Sequence, residues 1–147
     1  MRTVVLDTNV LLRLVHAGAP DHRICRSAVQ RLARSGSTLA VPIQVAVEFW
    51  VVATRPADVN GLGWSASVAR AKLDQILSRL VVLPEPPAAL EDWLEVVTTT
   101  PVVGKRAHDA RIASAMRVNG VSHLLTLNTS DFAGIPGIVP VHPSALE

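Results

Sequence analysis

The chain has 147 residues, 49% of them apolar, a formal net charge of +2 and one cysteine, Cys25. That length and apolar content suit one compact domain over 1–147 with a buried core. A lone cysteine excludes an internal disulfide, the apolar runs are too short and interrupted to span a bilayer, and the N-terminal residues do not read as a signal peptide, so a cytoplasmic protein with no membrane partner is expected.

Thr3 to Leu6 is a short β-branched run that stops at Asp7 and reads as a buried strand. Val10 to His16 reads as a short helix ended by Gly18 and Pro20, and Asp21 as the N-cap of a helix running to Ser35, with Gly36 just beyond. Thr38 to Val41 is a second strand, and Pro42 opens a strongly apolar helix lasting to about Ala53. Asp58 to Gly63 is a loop, and Ser65 caps a helix whose Ala69, Leu73, Ile76 and Leu80 follow the helical period. Val81 to Leu83 is a third strand, closed by the proline-rich stretch Pro84 to Pro87. Helices follow over Ala88 to Val97 and Ala107 to Asn119, the latter stopped by Gly120. His123 to Leu127 is a fourth strand and Ile138 to Val141 a fifth. Short buried strands alternating with amphipathic helices imply a parallel sheet covered on both faces, with ligands outside the carboxyl ends of the strands.

Polar clusters stand at two such ends: Asp7-Thr8-Asn9 and Asn128-Thr129-Ser130-Asp131. Glu48 is the only charged residue between Arg34 and Arg55, and no Lys or Arg is placed to pair with it along its helix. A carboxylate in so apolar a helix must be solvated at a cleft, paired from another element or bound to a cation; the bland reading is a solvent-facing stripe of Gln44 and Glu48. The near-continuous apolar character predicts that this helix is central. Asp109 shares a helix face with Ile112, Ala113 and Met116, and it also sits where the helix dipole favours an anion. Thr8, Asn9 and Asn128 each have a bland role as cap or turn residues.

Taken together the acids converge, because the ends of the first and fourth strands can lie side by side. Clustered carboxylates resist ionising together, and a hard divalent cation such as Mg²⁺ or Mn²⁺ resolves this. His108 adjoins Asp109 but points about 100° away around the helix. The histidines and Cys25 lack zinc-ligand spacing, and there is no phosphate-binding glycine loop. Twelve of the fourteen basic residues are Arg, which permits a nucleic-acid partner held by its phosphates. The absence of Tyr and scarcity of Phe and Trp argue against a base-stacking platform. Lys105, Arg106 and Arg111 either grip phosphates beside Asp109 or are solvated helix charge.

The segments LDTNVLL (Leu6 to Leu12), VEFW around Glu48, HDARIASAM (His108 to Met116) and LLTLNTSDF (Leu124 to Phe132) resemble PIN-domain proteins, above all the toxin ribonucleases of VapBC-type toxin–antitoxin pairs. The resemblance runs in order through essentially the whole chain. It implies an α/β/α sandwich with a five-stranded parallel sheet and Mg²⁺- or Mn²⁺-dependent endonuclease action on RNA. It makes Asp7, Glu48, Asp109 and Asp131 the catalytic acids, with Asp7, Asp109, Asp131 and Asn128 holding metal and Thr8 and Asn9 supporting them. Asn128 stands where many family members have an acid, so one metal or two is left open. The resemblance also implies a homodimer and a cognate antitoxin. Two other readings stay open: a non-catalytic PIN-like module that binds RNA or a protein, and a small-molecule phosphoesterase.

Overall fold

Val4, Val5 and Leu6 carry β-branched or leucine side chains with no polar atom to solvate, and all are buried in the first strand, β1 (Thr3–Leu6). The computed structural model describes residues 2–146; Met1 and Glu147, the outermost positions of the expected 1–147 domain, lie outside the described residues. After β1 come α1 (Thr8–Val15), α2 (His22–Arg34), β2 (Thr38–Pro42), α3 (Ile43–Thr54), α4 (Ala66–Leu77), β3 (Val81–Leu83), α5 (Ala88–Thr99), α6 (Arg106–Val118), β4 (His123–Leu125) and β5 (Val139–Val141). The strands form one parallel sheet in the order β3-β2-β1-β4-β5.

This order sets where a site can form. The chain steps outward from β1 to β2 and β3, then returns across the sheet to β4 on the other side of β1. Right-handed crossovers therefore put α1 to α4 on one face and α5 and α6 on the other. The packing agrees: α1 contacts α2 and α3, α3 contacts α4, and α5 and α6 pack chiefly on each other. Between β1 and β4 the strand order reverses, and Leu6 pairs with Leu125 at their carboxyl ends. The core between the layers includes Leu11, Phe49, Ile112, Met116, Leu124 and Phe132, all fully buried. Truncating Phe49 to Ala would cost about 3–5 kcal/mol.

Several boundaries differ from those read in the sequence. Helix α1 begins at Thr8 rather than Val10, because Asp7 occupies the N-cap and its side chain accepts the Thr8 amide. Strand β4 ends at Leu125, since Thr126 turns its hydroxyl to Asp7. Strand β5 begins at Val139, and α6 one residue early at Arg106. Asp21 holds the N-cap position of α2 in a left-handed conformation (φ 65°) and makes no capping hydrogen bond. Two apolar segments are less covered than expected. Val81 and Val82 lie on the edge strand β3 and are about half exposed. Helix α3 is not central: Ile43, Val47 and Val51, spaced one turn apart, are 43%, 49% and 48% exposed.

Candidate active site

Asp7 leaves β1 with extended backbone angles and becomes the cap of α1, so its carboxylate sits at the β1/β4 junction. Oδ1 accepts the Thr8 amide at 2.7 Å, and Oδ2 accepts the Thr126 hydroxyl at 2.7 Å and the Asn9 side-chain amide at 3.3 Å. Asn9 in turn accepts the Leu127 amide at 3.1 Å, which ties the two strand ends together. Thr126 also accepts the Asn128 amide at 3.0 Å. Asp7 is only 6% exposed. Burial pushes its pKa above the usual carboxylate range; the Thr126 and Thr8 hydrogen bonds oppose this, and the charges of Glu48 and Asp131 add to it.

Glu48 reaches the same place from α3. Its Oε2 accepts the Thr8 hydroxyl at 2.9 Å and its Oε1 accepts the Gln44 side-chain amide at 3.0 Å. Asp109 enters from the first turn of α6, whose buried face carries Ile112, Ala113 and Met116. Burial raises its pKa to about 7; the charges of Asp7, Asp131 and Glu48 add to the rise, and Arg106 opposes it. Asp131 stands exposed on a short 3-10 turn after β4, near enough for its charge to act on both Asp7 and Asp109. Asn128 is exposed at the start of that turn. The four acids thus come together electrostatically from different elements. The ion pairs among the described residues lie elsewhere, at Arg70–Asp74, Arg111–Glu85 and Arg117–Asp92.

Whether these residues suit a metal ion can be judged from their oxygens. Among the described residues no three Asp, Glu, His or Cys side chains are drawn together into a ready cage. Like charges keep apart, and Asp7 and Glu48 turn to hydroxyl and amide donors instead. The converging set is nevertheless all oxygen, and Mg²⁺ keeps several waters while binding only one or two carboxylates directly. A group of acids whose charges raise the proton affinity of Asp7 and Asp109, with no ion pair among the described residues, fits such an ion.

The basic residues divide. Lys105 is exposed. Arg106 donates to the Asp131 carbonyl at 2.9 Å. Arg111 forks onto Glu85 at 3.0 and 2.6 Å and donates to Gln44 at 2.8 Å, so its donors are committed inside the protein. Sequence reasoning missed Thr126, Gln44 and His108. Thr126 was a polar residue in the apolar run LLTL, which is a usable signal. His108 was expected to face away, yet its Nδ1 lies 3.3 Å from the Gln44 side-chain nitrogen, because α3 reaches across to it.

Three comparisons bear on this arrangement. The chain is similar to VapBC2 from Rickettsia felis bound to a promoter DNA fragment, at 22% identity over 95% of this chain and 98% of that one, with a TM-score of 0.71. It is similar to DNA-bound VapBC from Salmonella typhimurium, at 22% identity over 97% of this chain and 99% of that one (TM-score 0.68). It is also similar to PAE2754 from Pyrobaculum aerophilum, at 21% identity over 95% of this chain and 91% of that one (TM-score 0.62). At these identities the likeness shows the fold alone. No curated protein matches the chain. The PIN domain family model matches residues 4–137, which takes in all four acids and stops short of the last strand, and the chain belongs to the PIN domain family.

Proposed function

We propose that the chain is a Mg²⁺- or Mn²⁺-dependent endoribonuclease, a single PIN domain over 1–147 that acts in the cytoplasm as the toxin of a VapBC-type pair. The observation that carries this reading is the gathering of Asp7, Glu48, Asp109 and Asp131 around the β1/β4 junction: burial and the neighbouring acids raise the proton affinity of Asp7 and Asp109, and none of the four forms an ion pair among the described residues. Asp7 and Asp109 would hold the ion, with Asp131 and Asn128 completing its shell. When bound, a divalent ion lowers the pKa of water and neutralises charge building on a phosphodiester. Glu48 would complete the ion's shell or position one of its waters. Thr8 and Asn9 fix the carboxylates of Glu48 and Asp7. Lys105 and Arg106 contact RNA phosphates beside the acids.

Partners are proposed on similar grounds. Two of the similar structures are DNA-bound VapBC assemblies, which supports a cognate antitoxin. A groove of about 590 Å³ floored by Leu11, Leu14, Val29 and Ile76, with Arg26 and Lys72 among its lining residues, suits an acidic amphipathic segment of such a partner. The exposed Ile43, Val47 and Val51 face of α3 supports a homodimer. Among the described residues no helix is long and apolar enough to cross a membrane.

The test is cleavage of RNA, single-stranded DNA and a generic phosphodiester in Mg²⁺, Mn²⁺ and EDTA. RNA cut internally in either metal and spared in EDTA supports the proposal; cleavage of the generic ester alone points to a phosphoesterase. RNA binding without cleavage in any metal would instead establish the rival reading, a non-catalytic PIN-like module that binds RNA or protein.

A further inference from the structure

Gln44 is 3% exposed, and every polar atom of its amide has a partner. Its Oε1 accepts from Arg111 Nη1 at 2.8 Å. Its Nε2 donates to Glu48 Oε1 at 3.0 Å and lies 3.3 Å from His108 Nδ1. The amide can face only one way. A guanidinium has donors and no acceptor, so the Gln44 oxygen must meet Arg111 and the nitrogen must meet Glu48. Flipping the amide would set NH₂ against the guanidinium and oxygen against the carboxylate. Arg111 cannot easily turn aside to relieve that, because Nε and Nη2, which form one edge of its guanidinium, are held by the two carboxylate oxygens of Glu85 at 3.0 and 2.6 Å, and this aims Nη1 at Gln44.

The held group is the one most inclined to leave. Glu48 is half-buried, and its charge and those of Asp7 and Asp109 repel one another. A Gln–Glu pair one turn apart on a helix contributes only about 0.2–0.5 kcal/mol. Such a pair alone would not keep a long, flexible side chain turned toward other acids. An amide locked from behind by an ion pair, with Thr8 gripping the other oxygen at 2.9 Å, does so. We infer that Gln44 is a positioning residue for Glu48, and that the Arg111–Glu85 ion pair fixes the direction in which Gln44 donates. The inference rests on the reading of Glu48 as part of the metal site, and it gives Arg111 an internal role in place of a grip on RNA.

The probe is Mn²⁺ alone, titrated calorimetrically into the wild-type chain and into Gln44→Met, Arg111→Met, Glu48→Gln and the double variant Gln44→Met/Glu48→Gln. Groups that orient a metal ligand typically contribute about 10–100-fold in affinity. Gln44→Met and Arg111→Met should each raise the Mn²⁺ Kd by about tenfold or more. Gln44→Met should add nothing further in the Glu48→Gln background, since its effect runs through Glu48. On RNA that the wild type cleaves, Arg111→Met should lower kcat with KM unchanged; a raised KM with kcat unchanged would mean a phosphate contact and would overturn the role given to Arg111. Unaltered Mn²⁺ affinity in Gln44→Met, with Glu48→Gln weakened, would overturn the inference and leave the site reading intact. Unaltered affinity in Glu48→Gln would overturn the placing of Glu48 in the site itself. Should Gln44→Met fail to fold, Arg111→Met decides by the same titration, because Arg111 is 42% exposed and its loss opens no core cavity.

Discussion

Replacing Asp109 with Asn removes a charge that the fold opposes. Burial and the neighbouring acids raise the Asp109 pKa from its ordinary 3.8 to about 7. The unfolded chain releases this proton near 3.8 and the folded chain keeps it to about 7. Between those values the folded state binds more protons, so stability falls as pH rises, and the deficit is complete above about pH 7. For a fully sequestered group a shift of that size corresponds to about 4 kcal/mol. Asp109 is only half-buried, and solvent screening reduces this to about 1–2 kcal/mol. For a domain of this size that is a melting-temperature difference of roughly 2–8 °C. Melts of both proteins in EDTA from pH 4 to pH 8.5 should show Asp109→Asn the more stable at high pH, with the gap closing toward pH 4. Saturating Mn²⁺ should reverse the order, because the ion binds the folded wild type more tightly. A variant less stable than wild type at every pH would refute the reasoning and make Asp109 a helix-dipole anchor.

Asp7→Asn should abolish RNA cleavage while melting in EDTA at or above the wild-type temperature, since like-charge repulsion is relieved; a large loss of stability would favour a purely capping role. Thr126→Val deletes a fully buried hydroxyl that bridges Asp7 and the Asn128 amide, and should cost about 1–3 kcal/mol in a denaturant titration. Val47→Glu, on the half-exposed face of α3, should leave the melting temperature within a few degrees but turn a dimer into a monomer by sedimentation; unchanged association would exclude that face from the interface.

The order of strands and helices was legible because short β-branched runs and helical spacing of apolar residues are local signals. That the ends of the first and fourth strands can lie side by side followed from parallel-sheet topology, and Leu6 is paired with Leu125 there. What escaped depended on distant partners. Gln44 entered only through the bland alternative of a solvent-facing stripe with Glu48, yet it is buried and hydrogen-bonded to Arg111, 67 residues away. Arg111 read as either a phosphate contact or solvated helix charge, because Glu85, its partner, lies in a different segment. The apolar character of α3 predicted burial, but composition states only that a face prefers cover, and Ile43, Val47 and Val51 are left about half exposed. The end of β4 was misplaced for a different reason: Thr126 continues the strand pattern in sequence, while its hydroxyl has a stronger bond to make with Asp7.

The position of a bound ion tests the proposed site most directly. Crystals grown with Mn²⁺ and measured near its absorption edge should show an anomalous peak between the carboxylates of Asp7 and Asp109, with the peak lost in Asp109→Asn. A peak only at other acids, or none at saturating Mn²⁺ while Asp7 still holds Thr126 and Glu48 still holds Gln44, would contradict a metal-dependent nuclease built on these residues.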